Sequence, residues 1–257
     1  MMAGMTDERT RGDSPASLYG FCLRSLFRPY GWRFAARVAA RHPWRTLRAF
    51  RDAATIDVND GAVEVNSGAP AVRAAGPPSV VGAGFCLKPV NPPCPSGRAN
   101  HDCGFLEHQA GRTGVSVPSA CRACAIREIG TSALRAGSAF YVMTSARDIL
   151  EDLYRPAIED RRFPTGLFLL CRYSFRPFAA GALASGMRVR MLPLASGACS
   201  DYRTWLRADR GMKDEQTTVD EAGMAGVAGS LGARTPSHTI RCERRGNVLC
   251  PAADEAA

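Results

Sequence analysis

From residue 139 onward, apolar positions alternate between two periods. The runs "AFYVM" (139–143) and "GLFLLC" (166–171) are continuously apolar, as expected of strands covered on both faces. "MRVRMLP" (187–193) alternates apolar residues with arginine and predicts a half-exposed edge strand. Between them the period changes to that of a helix. "CRACAIREIGTSALRAG" (121–137) predicts a helix ending at Gly137. "ARDILEDLYRPAIED" (146–160) places Ile149, Leu150, Leu153 and Ile158 on one face, with Pro156 kinking or splitting it and Ser145 before Asp148 as a capping-box-like start. "RPFAAGALASG" (176–186) has Pro177 near its start and Gly186 past its end, and "SDYRTWLRAD" (200–209) predicts a last short helix. The order α, then β-α-β-α-β-α, predicts an α/β fold. Its sheet would be open and mainly parallel, of three to five strands, with flanking helices and right-handed crossovers.

The flanks read differently. Residues 18–51 contain no acid, and Arg33, Arg37, Arg41, Arg45 and Arg48 recur every three or four positions among apolar residues. That spacing predicts a basic helical segment, interrupted at Pro43, where a second helix begins. "TIDVNDGAVEV" (55–65) predicts a β-hairpin turning at Asn59-Asp60-Gly61, and a Pro/Gly/Ser-rich linker follows it. Residues 211–257, small and polar without periodicity, predict a flexible tail. The expected units are therefore 1–54, a basic helical segment after a loose polar start; 55–78, hairpin and linker; 79–210, a cysteine-rich core; and 211–257, the tail.

Charge sharpens the view of the N-terminus. Residues 1–51 carry ten arginines against three acids, +7 of the net +9. Such asymmetry points to an anionic partner: a membrane surface met through residues 18–51, or, as the weaker alternative, a nucleic acid. Packing of the same helices on the core explains the pattern equally well. Only Lys88 and Lys213 are lysines, so a coding bias toward arginine accounts for part of the stripe. No apolar run approaches the ~18 residues of a membrane span, and no apolar segment with a small-residue cleavage site opens the chain. The expected location is the cytoplasm, with peripheral membrane contact as an option. Ten cysteines kept reduced there bind metal or perform redox work more often than they form disulfides.

The chemistry concentrates in "FCLKPVNPPCPSGRANHDCGF" (85–105), where Cys86, Cys94 and Cys103 sit in a Pro/Gly/Asn-rich loop, followed by the C-x-x-C of Cys121 and Cys124. At the start of a helix, the dipole and free N–H groups would favour the thiolates of that pair. An irregular loop wraps a cation readily because it has no ladder to break. These five cysteines are the candidate metal ligands, with Cys94, Cys103, Cys121 and Cys124 as the preferred quartet and His101 as a substitute. The spacings match neither a zinc ribbon nor a ferredoxin, so an iron–sulfur cluster and zinc both stay open. Ligands of parallel α/β sheets bind beyond the carboxyl ends of the strands. Cys171, Cys199, Thr144 and Ser145 are therefore expected to line a cofactor pocket there. Asp102 and Glu107 flank Cys103 as solvated loop carboxylates or acid–base groups, and Ser196, Gly197 and Ser200 are a weak phosphate cradle. Cys22 reads as a small buried hydrophobe, and Cys242 and Cys250 as incidental.

The series "FCLKPVNPPCPSGRANHDCGFLE", "CRACAIREIG", "GLFLLCRYSF" and "SGACSDY" resembles a poorly characterised prokaryotic cysteine-motif family, domain-of-unknown-function family one hundred and sixteen. The matching positions are Cys86, Cys94-Pro95, Cys121 and Cys124 with Ile126, Cys171 and Cys199, over residues 79–210. The chain departs from the family's pattern between Cys103 and Cys121 and in "CRYSF". The resemblance implies metal or cluster binding on an α/β domain and names no substrate. The function expected is metal or cluster binding with a redox or accessory role and a redox partner protein. The alternatives are a metal-free enzyme using a Cys121 or Cys171 thiolate, and a non-catalytic adaptor recruited by the basic N-terminus.

Overall fold

The computed structural model describes residues 18–59, 61–66, 76–108, 116–232 and 242–252. Seven strands form one mixed sheet in the order β1-β5-β4-β2-β3-β7-β6. Its centre is parallel: β2 (Val80–Gly84) lies between β3 (Ala139–Met143) and β4 (Thr165–Leu170), and β5 (Arg188–Pro193) follows β4. This is an α/β fold, with a sheet larger than the pattern of apolar runs predicts.

The strand that the pattern misses is the central one. β2 reads "VVGAG", too short and too rich in glycine to stand out as an apolar run. Gly82 is small for a packing reason. A Cβ there would lie 2.4 Å from the Phe168 ring of β4, so the ring occupies the place of the missing side chain.

Three expectations for the flanks change. Of the 55–65 hairpin only β1 (Val63–Val65) is a strand, and its partner is β5, in antiparallel register Val63↔Met191. Asp60 of the expected turn, linker residues 67–75, residues 1–17, and 109–115 of the insertion lie outside the described residues. β5 is consequently not an edge strand, because β1 covers its outer side. The expected flexible tail is folded where it is described: α11 (Glu221–Leu231) packs on the sheet, and β6 (Cys242–Arg245) and β7 (Val248–Pro251) extend it past β3. α11 is built of small residues and so shows no hydropathic period. Its Val227 and Leu231 nevertheless join Leu192 of β5 in the core. Residues 233–241 and 253–257 of the tail are outside the described set.

Alternation along the strands feeds two cores. Tyr141, Met143, Phe168, Leu170, Val189 and Met191 face α3 (Pro43–Ala54), α9 (Phe175–Ala184) and the helical stretch 146–159. That stretch comprises α7 (Ala146–Ile149), a wider π-type turn at Leu150–Tyr154, and α8 (Arg155–Glu159), with Pro156 in the first turn of α8 as expected. Phe140, Val142, Leu167 and Leu169 face the opposite way, toward α6 (Ala125–Arg135) and α11. α1 (Leu18–Leu26), α2 (Pro29–Phe34) and α3 form the basic segment, with Pro43 opening α3. Its arginine stripe is largely used inside the molecule: Arg37 pairs with Glu151 at 2.5 Å, Arg41 with Glu159 at 2.8 Å, and Arg45 Nε donates to the Ala184 carbonyl at 2.6 Å. No helix among the described residues is long and apolar enough to cross a membrane.

Candidate functional site

The parallel strands place the chemistry. The chain steps from β2 to β3 on one side and then crosses back over β2 to β4 on the other, so the crevice between the carboxyl ends of β2 and β4 is a topological switch point. Cys86 follows β2 in a short 3₁₀ turn at Phe85–Leu87, Cys171 follows β4, and Cys199 lies in the loop after β5. All three line one cavity of about 110 Å³ at this edge, together with Thr144 after β3. Phe21 of α1 and Trp205 of α10 (Tyr202–Asp209) line it from the helical side, their rings edge to face at 4.8 Å.

Within the cavity wall the thiols are not equivalent. The Cys199 N–H donates to Cys171 Sγ at 3.1 Å, and Lys213 Nζ stands 3.6 Å from Cys199 Sγ. A hydrogen bond from the Cys171 thiol, followed by the Lys213 charge, draws the Cys199 thiol below its ordinary range despite burial. Cys171 moves up, because it donates that hydrogen bond and is buried. Burial also raises Cys86, opposed by the Thr217 hydroxyl and Lys213. Of the thiols at this edge, Cys199 is the one with the Lys213 ammonium beside it.

A second thiol group lies in the loop. Cys94 and Cys124 act electrostatically on both Cys103 and Cys121, and Cys94, Cys103 and Cys124 all act on Lys88. The loop is closed around that lysine. Buried Lys88 Nζ donates to the carbonyls of Gly97 (3.1 Å), Asn100 (2.9 Å) and Asp102 (2.7 Å) and to Asn100 Oδ1 (2.5 Å). Burial pushes Cys103 up to about 11 and raises Cys121 and Cys124, the Arg127 and Ile126 amides opposing at Cys124. The C-x-x-C does not share one helical turn as expected. The helix breaks at Ala123 (φ −107°, ψ 24°), leaving Cys121 in α5 (Ser119–Arg122) and Cys124 as the extended residue before α6. Among the described residues, no three His, Cys, Asp or Glu side chains are arranged to hold a metal ion as they stand. The seven candidate cysteines thus divide four and three, and Cys86 sits with Cys171 and Cys199 rather than with the loop.

Arg98 joins the two groups. Its guanidinium donates to the carbonyls of Cys86 (3.3 Å) and Lys88 (3.4 Å) on one side and of Lys213 and Glu215 on the other. Lys213 Nζ and Thr217 Oγ1 both donate to the Gly197 carbonyl, at 2.5 and 3.1 Å, which binds the segment after α10 to the loop that carries Cys199. Sequence reasoning left out Lys88, Lys213, Arg98 and Thr217. One signal was present: in a chain whose other basic residues are arginines, both lysines are buried and each adjoins one thiol group.

The remaining candidates are engaged elsewhere. Thr144 and Ser145 donate to Asp148 Oδ2 at 2.5 and 2.7 Å, and Ser145 caps α7 by accepting the Asp148 N–H. His101 stacks on Tyr141, with Nδ1 2.8 Å from the Val142 carbonyl and Nε2 3.1 Å from Thr144 Oγ1, so it lies beside β3 and bonds there. Glu107 accepts the Cys103 N–H at 2.8 Å and pairs with Arg244, as does Asp102 at 3.1 Å. Ser196 spends its hydroxyl on Thr218 at 2.7 Å. Cys22 packs part-buried on the core, Cys242 Sγ donates to the Leu106 carbonyl at 3.2 Å, and Cys250 lies in β7.

Compared with protein-family models, curated proteins and solved structures, the chain matches none.

Proposed function

We propose that the protein binds a metal centre, an iron–sulfur cluster or zinc, through Cys94, Cys103, Cys121 and Cys124, and serves a redox or accessory role with a redox partner protein. The observation that carries this reading is the gathering of the four thiols. Cys94 and Cys124 act electrostatically on both Cys103 and Cys121, and Cys94, Cys103 and Cys124 act on the buried Lys88 ammonium. The donor set suits the group, since thiolates are the ligands of structural zinc and of iron–sulfur clusters. Binding requires Cys103, Cys121 and Cys124 to lose protons that burial makes them retain, so it releases protons and leaves negative charge in the loop. Lys88 would offset part of that charge without leaving its carbonyl ligands.

The test is anaerobic purification followed by iron, zinc and sulfide analysis and a visible spectrum. Near-stoichiometric metal that is lost on Cys121→Ser or Cys124→Ser and kept on Cys22→Ser is the expected result. A folded, colourless, metal-free protein sinks the reading.

A second reading concerns α1 to α3. Phe27, Trp44 and Trp32 are 92%, 82% and 71% exposed within residues 18–51, which hold no acid, and this favours docking on an anionic bilayer. Co-sedimentation with phosphatidylserine vesicles, lost on Trp32→Ser/Trp44→Ser, is the expected result; no difference between anionic and neutral vesicles removes it.

A further inference from the structure

We propose that Cys199 and Cys171 form a dithiol exchange centre that reduces small, uncharged disulfides entering the cavity at the β2/β4 switch point. The proposal concerns a site separate from the loop quartet and stands whether or not that quartet holds a metal.

Three geometric facts carry it. The two cysteines come from different strand-end loops, yet the Cys199 amide donates to Cys171 Sγ at 3.1 Å, so the sulfurs are neighbours. One sulfur, Cys199, has the Lys213 ammonium at 3.6 Å, and this sets the attacker apart from its partner. Both sulfurs line a cavity of about 110 Å³ whose other walls include Phe21, Met143 and Trp205, room for one small apolar leaving group rather than a peptide. The loop is held for this arrangement. Gly197 adopts φ +70°, and a Cβ there would lie 2.4 Å from the Gln216 carbonyl oxygen. The turn that presents Cys199 is therefore pressed against the backbone that delivers Lys213.

The chemistry balances within these groups. The Cys199 thiolate attacks one sulfur of R–S–S–R; that S–S bond breaks, a Cys199–S–S–R bond forms, and RS⁻ leaves with the proton of the Cys171 thiol. The Cys171 thiolate then attacks Cys199 Sγ, the mixed disulfide breaks, and the second RS⁻ leaves and is protonated by water. The substrate gains two electrons and becomes two thiols, and the protein dithiol loses two and becomes the Cys171–Cys199 disulfide. Lys213 favours the attacking thiolate, and the burial of Cys171 keeps it protonated until the first thiolate departs.

The experiment treats reduced, full-length protein with bis(2-hydroxyethyl) disulfide at pH 7 and maps the products by mass spectrometry. The wild type is expected to give the Cys171–Cys199 disulfide and two equivalents of 2-mercaptoethanol. Cys171→Ser is expected to stop at a mixed disulfide on Cys199. Lys213→Met, which keeps both thiols, is expected to slow the reaction about threefold at pH 7, because a thiol raised by one pKa unit loses about tenfold in thiolate and regains roughly threefold in nucleophilicity. Cys242→Ser, outside both thiol groups, is expected to react as the wild type does. A mixed disulfide appearing first on any other cysteine, an unchanged product from Cys171→Ser, or a Lys213→Met rate equal to wild type would overturn the proposal.

Discussion

Lys213 Nζ lies 2.5 Å from the Gly197 carbonyl and 3.6 Å from Cys199 Sγ, so one ammonium fixes a loop and polarises the thiol two residues along it. The other lysine does something parallel. Lys88 holds the carbonyls of Gly97, Asn100 and Asp102 while its charge faces Cys94, Cys103 and Cys124. A buried ammonium is costly unless its donors are satisfied; loop carbonyls satisfy Lys88, and the Gly197 carbonyl with Cys199 Sγ takes two of the Lys213 donors. The protein thus assigns a compact cation to each thiol group and leaves the planar, always-charged guanidinium to its surfaces and seams.

Arg98 is the seam between the two groups, so its loss should separate them. Arg98→Met removes donors to the carbonyls of Cys86, Lys88, Lys213 and Glu215. Hydrogen exchange is expected to rise in residues 211–218 and in the 94–103 loop, with little change in β3 and β4. Uniform acceleration across the sheet would mean that Arg98 supports the whole domain instead.

Lys88→Met should be among the more damaging single changes in the loop. It leaves several acceptors without their donor, at a cost of roughly 2–4 kcal/mol. Urea unfolding reads this as a lower midpoint, and limited proteolysis is expected to cut first within residues 94–103. A midpoint equal to wild type would contradict the role given to this side chain.

Two glycines should answer alanine in opposite directions. At Gly82 the new methyl meets the Phe168 ring at 2.4 Å in the central strand, and overpacking of this kind costs about 1–3 kcal/mol. At Gly229, exposed in α11, nothing lies within 4 Å, and alanine should stabilise by up to about 1 kcal/mol. Thermal unfolding of both variants checks the pair.

Asp148 should shape the acid limb of stability. The His101 imidazole 3.6 Å away, then hydrogen bonds from Thr144 and Ser145, hold its carboxyl well below the usual range against some desolvation. A carboxylate with a depressed folded pKa contributes stability that is fully present above its unfolded pKa, near 4, and is lost as pH falls through the folded value. Asp148→Asn is therefore expected to lower stability at pH 7 and to flatten its decline below pH 4. An unchanged slope in pH-dependent denaturation would exclude Asp148 as a source of that decline.

Much of the fold is legible in the residues. The buried runs at 139–143 and 166–171, the Ser145 cap, Pro43 at the start of α3, and Gly186 after α9 all signal their structure locally, because periodicity and dihedral preference are local properties. The strands that escape notice do so for non-local reasons. β2 has surrendered its bulk to Phe168, and β6 and β7 find their partners only across the molecule.

The candidate site divides along the same line. That Cys171 and Cys199, which follow strands, lie at the sheet's carboxyl edge follows from the handedness of β-α-β units. How they group follows only from tertiary structure. Cys86 is eight residues from Cys94, yet it turns to Cys171 and Cys199, because β2 ends beside β4 and the next turn carries the loop away. Which thiol has an ammonium beside it is likewise a matter of the fold, since Lys213 comes from what reads as a featureless tail. Charge acts through space, and its distances exist only once the chain is folded.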